Sequence, residues 1–193
     1  TITHDTRLPQ KAIDLFYGSR LPDGLTYSRY PSRVLQVIPP FSLIWVTMVY
    51  DLALWRGDRP FINRVAPGIF SVLEAFHSYV NDRGLVEAPP GWNFVDWADT
   101  FTFGMPKDAQ FGCSGILNLQ YVYTLHLVTQ FYDLIQDHEL AARYRQRLTQ
   151  AAAACRQTYW NEARGLFADD EAHTAFSEHA QCLAILGGQL TDA

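Results

Sequence analysis

The 193-residue sequence lacks the features that mark several large classes of protein. It has no excess of positive charge: its formal net charge is −5, whereas proteins that bind nucleic acid carry basic faces. It also has no uninterrupted apolar run of the about 18 residues that a membrane span needs. The longest candidate, 38–55, is interrupted by two prolines and several polar residues. We therefore expect no nucleic-acid partner and no membrane partner.

Reactive and metal-binding motifs are also scarce. The cysteines, Cys113, Cys155 and Cys182, are far apart and odd in number, which fits neither a disulfide framework nor a zinc cluster. The histidines show no metal-ligand spacing, and we find neither a glycine-rich phosphate loop nor a recognisable serine or cysteine nucleophile. The sequence therefore predicts no metal and no cofactor.

Signals for β-strands are nearly absent, and apolar residues recur at helical spacing. Helices are predicted over 9–16, 39–55, 59–81, 114–137, 139–160 and 175–186. The second, fourth and sixth are rich in apolar, aromatic and amide residues, whereas the fifth carries the arginines and glutamines typical of a solvated helix. Inner and outer helices that alternate in this way indicate an all-α chain with the architecture of an α/α toroid. An irregular helical bundle is the alternative.

One connection, the aromatic loop at 83–112, differs from ordinary connections, which are small and polar. Its segment GWNFVDWADTFTFG (91–104) holds five aromatic side chains and two carboxylates. The rings could fill a core, and for the phenylalanines we favour that interpretation. Alternatively, rings and an acid could bind a sugar, because rings stack on its C–H faces and a carboxylate accepts hydrogen bonds from its hydroxyls.

For Asp96 the sequence favours ligand binding. A carboxylate between Val95 and Trp97 is costly among apolar side chains unless it has a partner. Asp96 and Trp97 are therefore the expected direct contacts of a sugar, and Trp92 is expected to frame the pocket. Asp99 is expected to start a turn.

Further candidates lie in the extended stretch before Pro31, on the apolar fourth helix and near the start of the sixth. Each has a structural alternative: a surface turn, a helix cap or a hydrogen bond to a neighbouring backbone group. These candidates are Arg29, Tyr30, Asn118, Gln120, Tyr121, Glu178 and His179. The tryptophans of the second helix, Trp45 and Trp55, are expected in the core.

Three stretches carry a resemblance to a known family: 19–58, which contains SRYPS, then WNFVDWAD (92–99) and CSGILNLQYVYTLHL (113–127). They are similar to the catalytic domain of bacterial α-L-rhamnosidases, and looser similarity extends to SEHAQCLAILGG (177–188). The resemblance covers nearly the whole chain. It implies an (α/α)6 barrel, of which six helices are about half, and the inverting hydrolysis of terminal α-L-rhamnosides. It leaves the compartment open between bacterial cytoplasm and periplasm.

The resemblance also implies where the chemistry lies. Inverting glycosidases need a carboxylic acid and a carboxylate about 6.5–9.5 Å apart. In the rhamnosidases the acid precedes the first hairpin seen here and the base belongs to a later hairpin, so no catalytic residue is assigned. Asp5 is interpreted as a helix cap or a solvated residue.

The chain is thus expected to be one partial (α/α)6 catalytic domain, 1–193, of a longer protein. Alone it should be inactive, and it should self-associate through the exposed edges of the toroid. Two other classes remain open. One is another carbohydrate-active α/α toroid, such as a glucoamylase-like or unsaturated-glucuronyl hydrolase. The other is a non-catalytic helical scaffold that binds sugar.

Overall fold

The computed structural model describes residues 5–190, and most of its regular structure is helical. In chain order the helices are α1 (Arg7–Gly18), α2 (Pro39–Arg56), α3 (Arg59–His77), α4 (Gly115–Leu134), α5 (His138–Tyr159) and α6 (Glu178–Leu186). A short antiparallel hairpin of β1 (Trp160–Asn161) and β2 (Leu166–Phe167) lies between α5 and α6. The predicted helical fold is confirmed.

The bounds of α2 follow from its terminal residues. Pro39 and Pro40 occupy the first turn, where a missing backbone N–H costs nothing. Gly57 ends the helix in the left-handed conformation, with φ of 64°. Asp58 then caps α3 by accepting a hydrogen bond from the backbone N–H of Phe61 at 3.2 Å. These two helices therefore begin where the sequence predicts.

Helix α4 is the centre of the fold. Fifteen of its 20 residues are buried, so it must be covered from several sides. The residues that are not buried share one face of its second half: Tyr123, His126, Gln130, Asp133 and Leu134. It packs against α2 and α6, which form an inner layer with it, and against α5. Helix α3 covers α2, and α1 contacts both of them. The inner helices α2, α4 and α6 are the three that the sequence marks as apolar.

The outer helices α3 and α5 are joined by an ion cluster. The carboxylate of Glu74 on α3 pairs with Arg147 at 2.7 Å and with Arg143 at 3.1 Å, both on α5. The Arg147 side chain is only 11% exposed, so most of its surface is removed from water. Burial opposes ionisation of Glu74, but the two arginines outweigh it and lower the pKa of this carboxyl below its usual value.

Helix α6 begins at Glu178, three residues after the predicted start at 175. The reason is a turn formed by two buried carboxylates. Asp170 accepts hydrogen bonds from the backbone N–H groups of Thr174 and Ala175, and Asp169 accepts from both the N–H and the hydroxyl of Ser177. These bonds compete with helical geometry until Ser177 caps α6.

Two other expectations need correction. Helix α3 ends at His77 instead of continuing to 81, because the chain turns and pairs Val80 with Val86. Trp45 is buried as expected, but Trp55 is 77% exposed. The spacing of apolar residues predicts that Trp55 lies on an apolar helix, but it does not show which faces of that helix are covered by other elements.

Trp55 belongs to a set of large apolar side chains that are exposed on the inner helices. The others are Ile44, Leu54, Leu134, Ile185 and Leu186. Self-association through such surfaces stays a prediction. Within residues 5–190, no helix combines the length and apolar character needed to cross a bilayer.

The Glu74 cluster gives a prediction for stability. Glu74→Gln removes the charge that partners Arg147, and it should lower the free energy of unfolding by about 1–2 kcal/mol at neutral pH. Because folding lowers the pKa of Glu74, its contribution is present above the usual pKa of glutamate and is lost as the pH falls. The difference from wild type in chemical denaturation should therefore shrink in acid. Glu162→Gln, at an exposed site, is the control. Equal stability of Glu74→Gln and wild type at pH 7 would refute the prediction.

Candidate functional site

The aromatic loop and the three inner helices enclose a pocket of about 290 Å³. It lies where α2, α4 and α6 begin, and its wall is mainly apolar. We call it the inner-layer pocket. It is lined by Pro40, Phe41, Ile44, Thr47, Phe94, Val95, Gln120, Tyr123, His179, Cys182 and Leu183.

The rings of the loop form a compact aromatic cluster of Trp92, Phe94 and Trp97. The ring centroids of Trp92 and Phe94 lie 4.8 Å apart, and those of Phe94 and Trp97 lie 5.0 Å apart. Phe94 also meets Phe41 of α2 edge to face at 6.2 Å, which ties the cluster to the inner layer. Trp97 is 69% exposed, so a wide ring surface faces solvent beside the pocket.

Buried polar groups fix the path of the loop. The side-chain amide of Asn93 donates hydrogen bonds to the carbonyl oxygens of Pro89 and Ala109, both at 2.9 Å, and so joins the two arms of the loop. The indole of Trp92 donates to the carbonyl of Phe103 at 3.0 Å. The backbone that carries the aromatic cluster is therefore held in place by hydrogen bonds from these side chains.

Salt bridges and hydrogen bonds tie the ends of the same loop to the segment before α6. Arg83 pairs with Glu171 at 2.6 Å, and Lys107 lies 3.7 Å from the buried Asp170. The backbone N–H of Glu171 also donates to Asp108 at 3.3 Å. The loop and the start of α6 thus form one connected rim of the pocket.

Asp96 stands at this rim with both carboxylate oxygens engaged. Oδ1 accepts a hydrogen bond from the backbone N–H of Trp97 at 2.7 Å, and Oδ2 lies 3.0 Å from Nε2 of His179 on α6. These two contacts lower the pKa of Asp96 below its usual value, so the group is ionised at neutral pH. An ionised carboxylate has about four acceptor positions, so about two remain for a ligand.

Asp96 is not buried among apolar side chains, contrary to what its sequence neighbours suggest. The side chain is 57% exposed and paired with His179, so burial among apolar neighbours does not oblige it to find a ligand. The position stays a candidate because Asp96 is an exposed, ionised acceptor next to exposed aromatic surface. Asp99 is also exposed, at a turn, as expected.

The structure does not bring Arg29 and Tyr30 into contact with the aromatic cluster within the described part of the chain. Arg29 donates to Gln36 at 2.6 Å, within its own extended segment, and Tyr30 is exposed. That segment meets the loop at Val37, whose carbonyl accepts a hydrogen bond from the backbone N–H of Trp92. A role for the pair in binding stays a prediction.

The polar candidates on α4 serve the backbone. Asn118 exchanges hydrogen bonds with both the N–H and the carbonyl of Val86, and Gln120 donates to the carbonyl of Pro40. Tyr121 is buried, and burial raises the pKa of its hydroxyl to about 12. The structural interpretation therefore accounts for Asn118 and Gln120, although Gln120 also lines the pocket.

The phenylalanines of segment 91–104 differ in burial. Phe101 is half-buried and packs against the core, as expected. Phe94 is half-buried against Phe41 and the two tryptophans of the cluster, whereas Phe103 is exposed and has a positive φ of 50°. Glu178 is exposed on the first turn of α6. Asp5 accepts hydrogen bonds from both the backbone and the guanidinium of Arg7 at the start of α1, where a cap was expected.

Sequence reasoning ranked His179 low and missed its pairing with Asp96, which is 83 positions away in the chain. Its place near the start of the predicted sixth helix makes His179 a candidate but does not show which residue it contacts. The placement of Tyr123 and Cys182 in the pocket was also missed. Helical spacing does not show that Tyr123 faces a pocket. Cys182, which like the other cysteines is expected to be a small and mostly buried hydrophobe, is exposed there.

A larger groove of about 650 Å³ lies elsewhere, between α1 and α2, with Trp55 and Asp51 in its wall. It involves no residue of the aromatic loop, so the smaller pocket is the better candidate. In the part of the chain that the structure describes, no three histidine, cysteine, aspartate or glutamate side chains form a metal-binding group.

Comparison with known families identifies this arrangement. The model of the bacterial alpha-L-rhamnosidase six-hairpin glycosidase domain matches residues 3–192. The chain belongs to this family. The inner layer and its outer helices are therefore hairpins of a six-hairpin glycosidase domain. The comparison with curated proteins gave no significant match.

Solved rhamnosidases share the fold. The GH78 family rhamnosidase of Bacillus sp. GL1 superposes with a TM-score of 0.84 over 97% of this chain, at 22% identity. The rhamnosidase from Klebsiella oxytoca with rhamnose bound gives 0.77 over 95%, at 20% identity, and the alpha-L-rhamnosidase from Dictyoglumus thermophilum gives 0.69 over 94%, at 14% identity. The chain covers 20%, 35% and 20% of these three proteins, respectively.

The support of the aromatic cluster can be tested at Gly104. Its φ of +72° disfavours any side chain, and an added Cβ would also collide with the ring of Phe94. Gly104→Ala should therefore cost about 1–3 kcal/mol more than Gly165→Ala. The control Gly165 shares the positive φ, at +63°, but has open space around it. Thermal unfolding and near-ultraviolet circular dichroism measure the two effects. Equal losses at both glycines would show that the Phe94 contact is unimportant.

Proposed function

We propose that these 193 residues are part of a longer α-L-rhamnosidase and form one side of its sugar pocket. The observation that carries the proposal is the exposed, ionised Asp96 beside the open ring of Trp97, at the mouth of a pocket with an apolar wall. The family to which the chain belongs supports the substrate class. So does the Klebsiella oxytoca rhamnosidase, a protein of the same fold described with rhamnose bound.

The chemistry of rhamnose suits these groups. Its hydroxyls donate hydrogen bonds to a carboxylate, and its C–H faces stack on aromatic rings. Its methyl group, which replaces the hydroxymethyl of most hexoses, suits an apolar wall. We assign Asp96 and Trp97 to direct contact and Trp92 to the frame behind them. Arg29 and Tyr30 are the outer candidates.

We assign no catalytic residue within the chain. A general acid must hold its proton near neutral pH, but the pKa of Asp96 is lowered, so this group is ionised. Burial raises the pKa of Asp169, but that carboxylate is 2% exposed and bonded to Ser177, out of reach of a substrate. We place the inverting acid and base of the proposed enzyme outside these residues.

Sugar affinity in the complete protein tests the assignment of Asp96. Asp96→Asn should weaken L-rhamnose binding by about tenfold or more, since a hydrogen bond to a charged group contributes about 1.5–3 kcal/mol. Trp97→Ala should cost a similar amount through lost stacking. Isothermal titration calorimetry measures both effects. Circular dichroism confirms that the variants are folded.

Asp99→Asn is the matched control, because Asp99 is an exposed carboxylate of the same loop. If Asp99→Asn weakens binding and Asp96→Asn does not, the wrong carboxylate has been assigned.

Cys182 offers an independent readout of the pocket, because it is exposed there. Cys113 and Cys155 are buried, and burial raises the pKa of both thiols. L-Rhamnose should slow the alkylation of Cys182.

The isolated 193-residue chain should not hydrolyse an aryl α-L-rhamnoside. The absence of even one general acid or base typically costs about 10²–10⁴ in rate. Release of the aryl group by the purified chain, followed spectrophotometrically, measures this. Turnover that copurifies with the chain through successive columns would overturn the placement of the acid and base outside it.

A further inference from the structure

The contact between Asp96 and His179 joins two parts of the pocket rim that are distant in sequence. Asp96 belongs to the aromatic loop, and His179 is the second residue of α6. Nε2 of His179 lies 3.0 Å from Oδ2 of Asp96. Because an ionised carboxylate only accepts hydrogen bonds, Nε2 is the donor.

The histidine side of this contact is firmly held. Asp169 is buried and accepts two hydrogen bonds from Ser177, whose hydroxyl caps α6. The ring of Phe101, at a centroid distance of 5.4 Å, packs against the imidazole. The donor therefore comes from a fixed helix start.

The carboxylate side is held less firmly. Within its own loop, the side chain of Asp96 has one hydrogen bond, from the backbone N–H of Trp97 to Oδ1. More than half of the side chain is exposed, so without His179 the carboxylate would be free to exchange among rotamers. Removing that freedom when a ligand binds costs free energy.

His179 is also in the right place to act on the ligand side of the rim. It lines the inner-layer pocket and is 32% exposed, less than the carboxylate that it contacts. Its Nε2–H is already used by Asp96. The Asp96 carboxylate is thus more accessible than the imidazole that holds it, and its open acceptor positions remain available to a ligand.

We propose that His179 is a positioning residue, which fixes the Asp96 carboxylate in the orientation that accepts hydrogen bonds from the sugar. This inference rests on the proposed function, because it requires that Asp96 contact the ligand. His179 acts through Asp96 and makes no hydrogen bond of its own to the sugar. Ordering one side chain in advance should improve affinity by about two- to tenfold.

A double-mutant cycle in the complete protein tests the proposal, with L-rhamnose affinity measured by calorimetry. His179→Leu removes the donor and keeps the bulk, and it should weaken binding by about two- to tenfold. In the Asp96→Ala background, His179→Leu should change affinity no further. His179→Gln offers an N–H near the position of Nε2, and it should retain affinity within about twofold of wild type. His138→Leu, at an exposed histidine on the first turn of α5 that does not line the pocket, is the matched control and should leave affinity unchanged.

The outcomes separate the two proposals. If Asp96→Ala weakens binding and His179→Leu weakens it equally in both backgrounds, His179 acts independently of Asp96 and the positioning role is wrong. If His179→Leu leaves wild-type affinity intact, the role is also wrong. If Asp96→Ala itself has no effect, the proposed function fails at this residue and the positioning role fails with it. A loss in His179→Leu that His179→Gln does not restore, with unchanged melting temperatures, would assign the effect to the ring instead of the hydrogen bond.

Discussion

The burial of α4 over most of its surface is the constraint on which the rest of the structure depends. A helix that is apolar over most of its circumference must be covered from several sides, and no single partner can do this. Helices α2 and α6 flank α4 and α5 covers its outer side, so a layered arrangement results. The start of α4 is equally enclosed, because Gly115 lies against the backbone of Ala168 and donates its N–H to the carbonyl of Asp169. The chain segments that enter and leave this end of the layer are thereby brought together, and the candidate site lies there.

The site itself depends on polar groups more than on apolar packing. The loop leaves α3 and returns to α4 across a long span, and hydrophobic burial alone does not specify the path of such a segment. Asn93 joins its two arms, and Arg83 with Glu171 anchors it to the segment before α6. The aromatic cluster can then present Trp97 to solvent, because the rings behind it are held by Phe41 of α2.

The features that the sequence predicts are those encoded by neighbouring residues. Two prolines mark the start of α2 and a glycine marks its end, and apolar composition distinguishes the inner from the outer helices. The helical layers could therefore be predicted from the sequence. The start of α6 could not, because Asp169 and Asp170 form their turn only when buried together with its backbone. Trp55 is exposed, and its expected place in the core is wrong, because periodicity shows which residues share a helix face but not whether another element covers that face. The partner of Asp96 was missed for a related reason: the pairing spans 83 positions and depends on how two helical hairpins meet.

The same construction explains why the candidate contacts are exposed while their supports are buried. A side chain that meets a ligand must be accessible, but it loses less entropy on binding if its position is already fixed. The buried side chains of Asn93 and Asp169 fix the backbone around the site, and the candidate contacts stay accessible to a ligand. Asp96 is where the two requirements meet, because one oxygen is held by its own loop and the other by α6. Its orientation therefore depends on how the loop sits against the inner layer, and through that layer on the packing of α4.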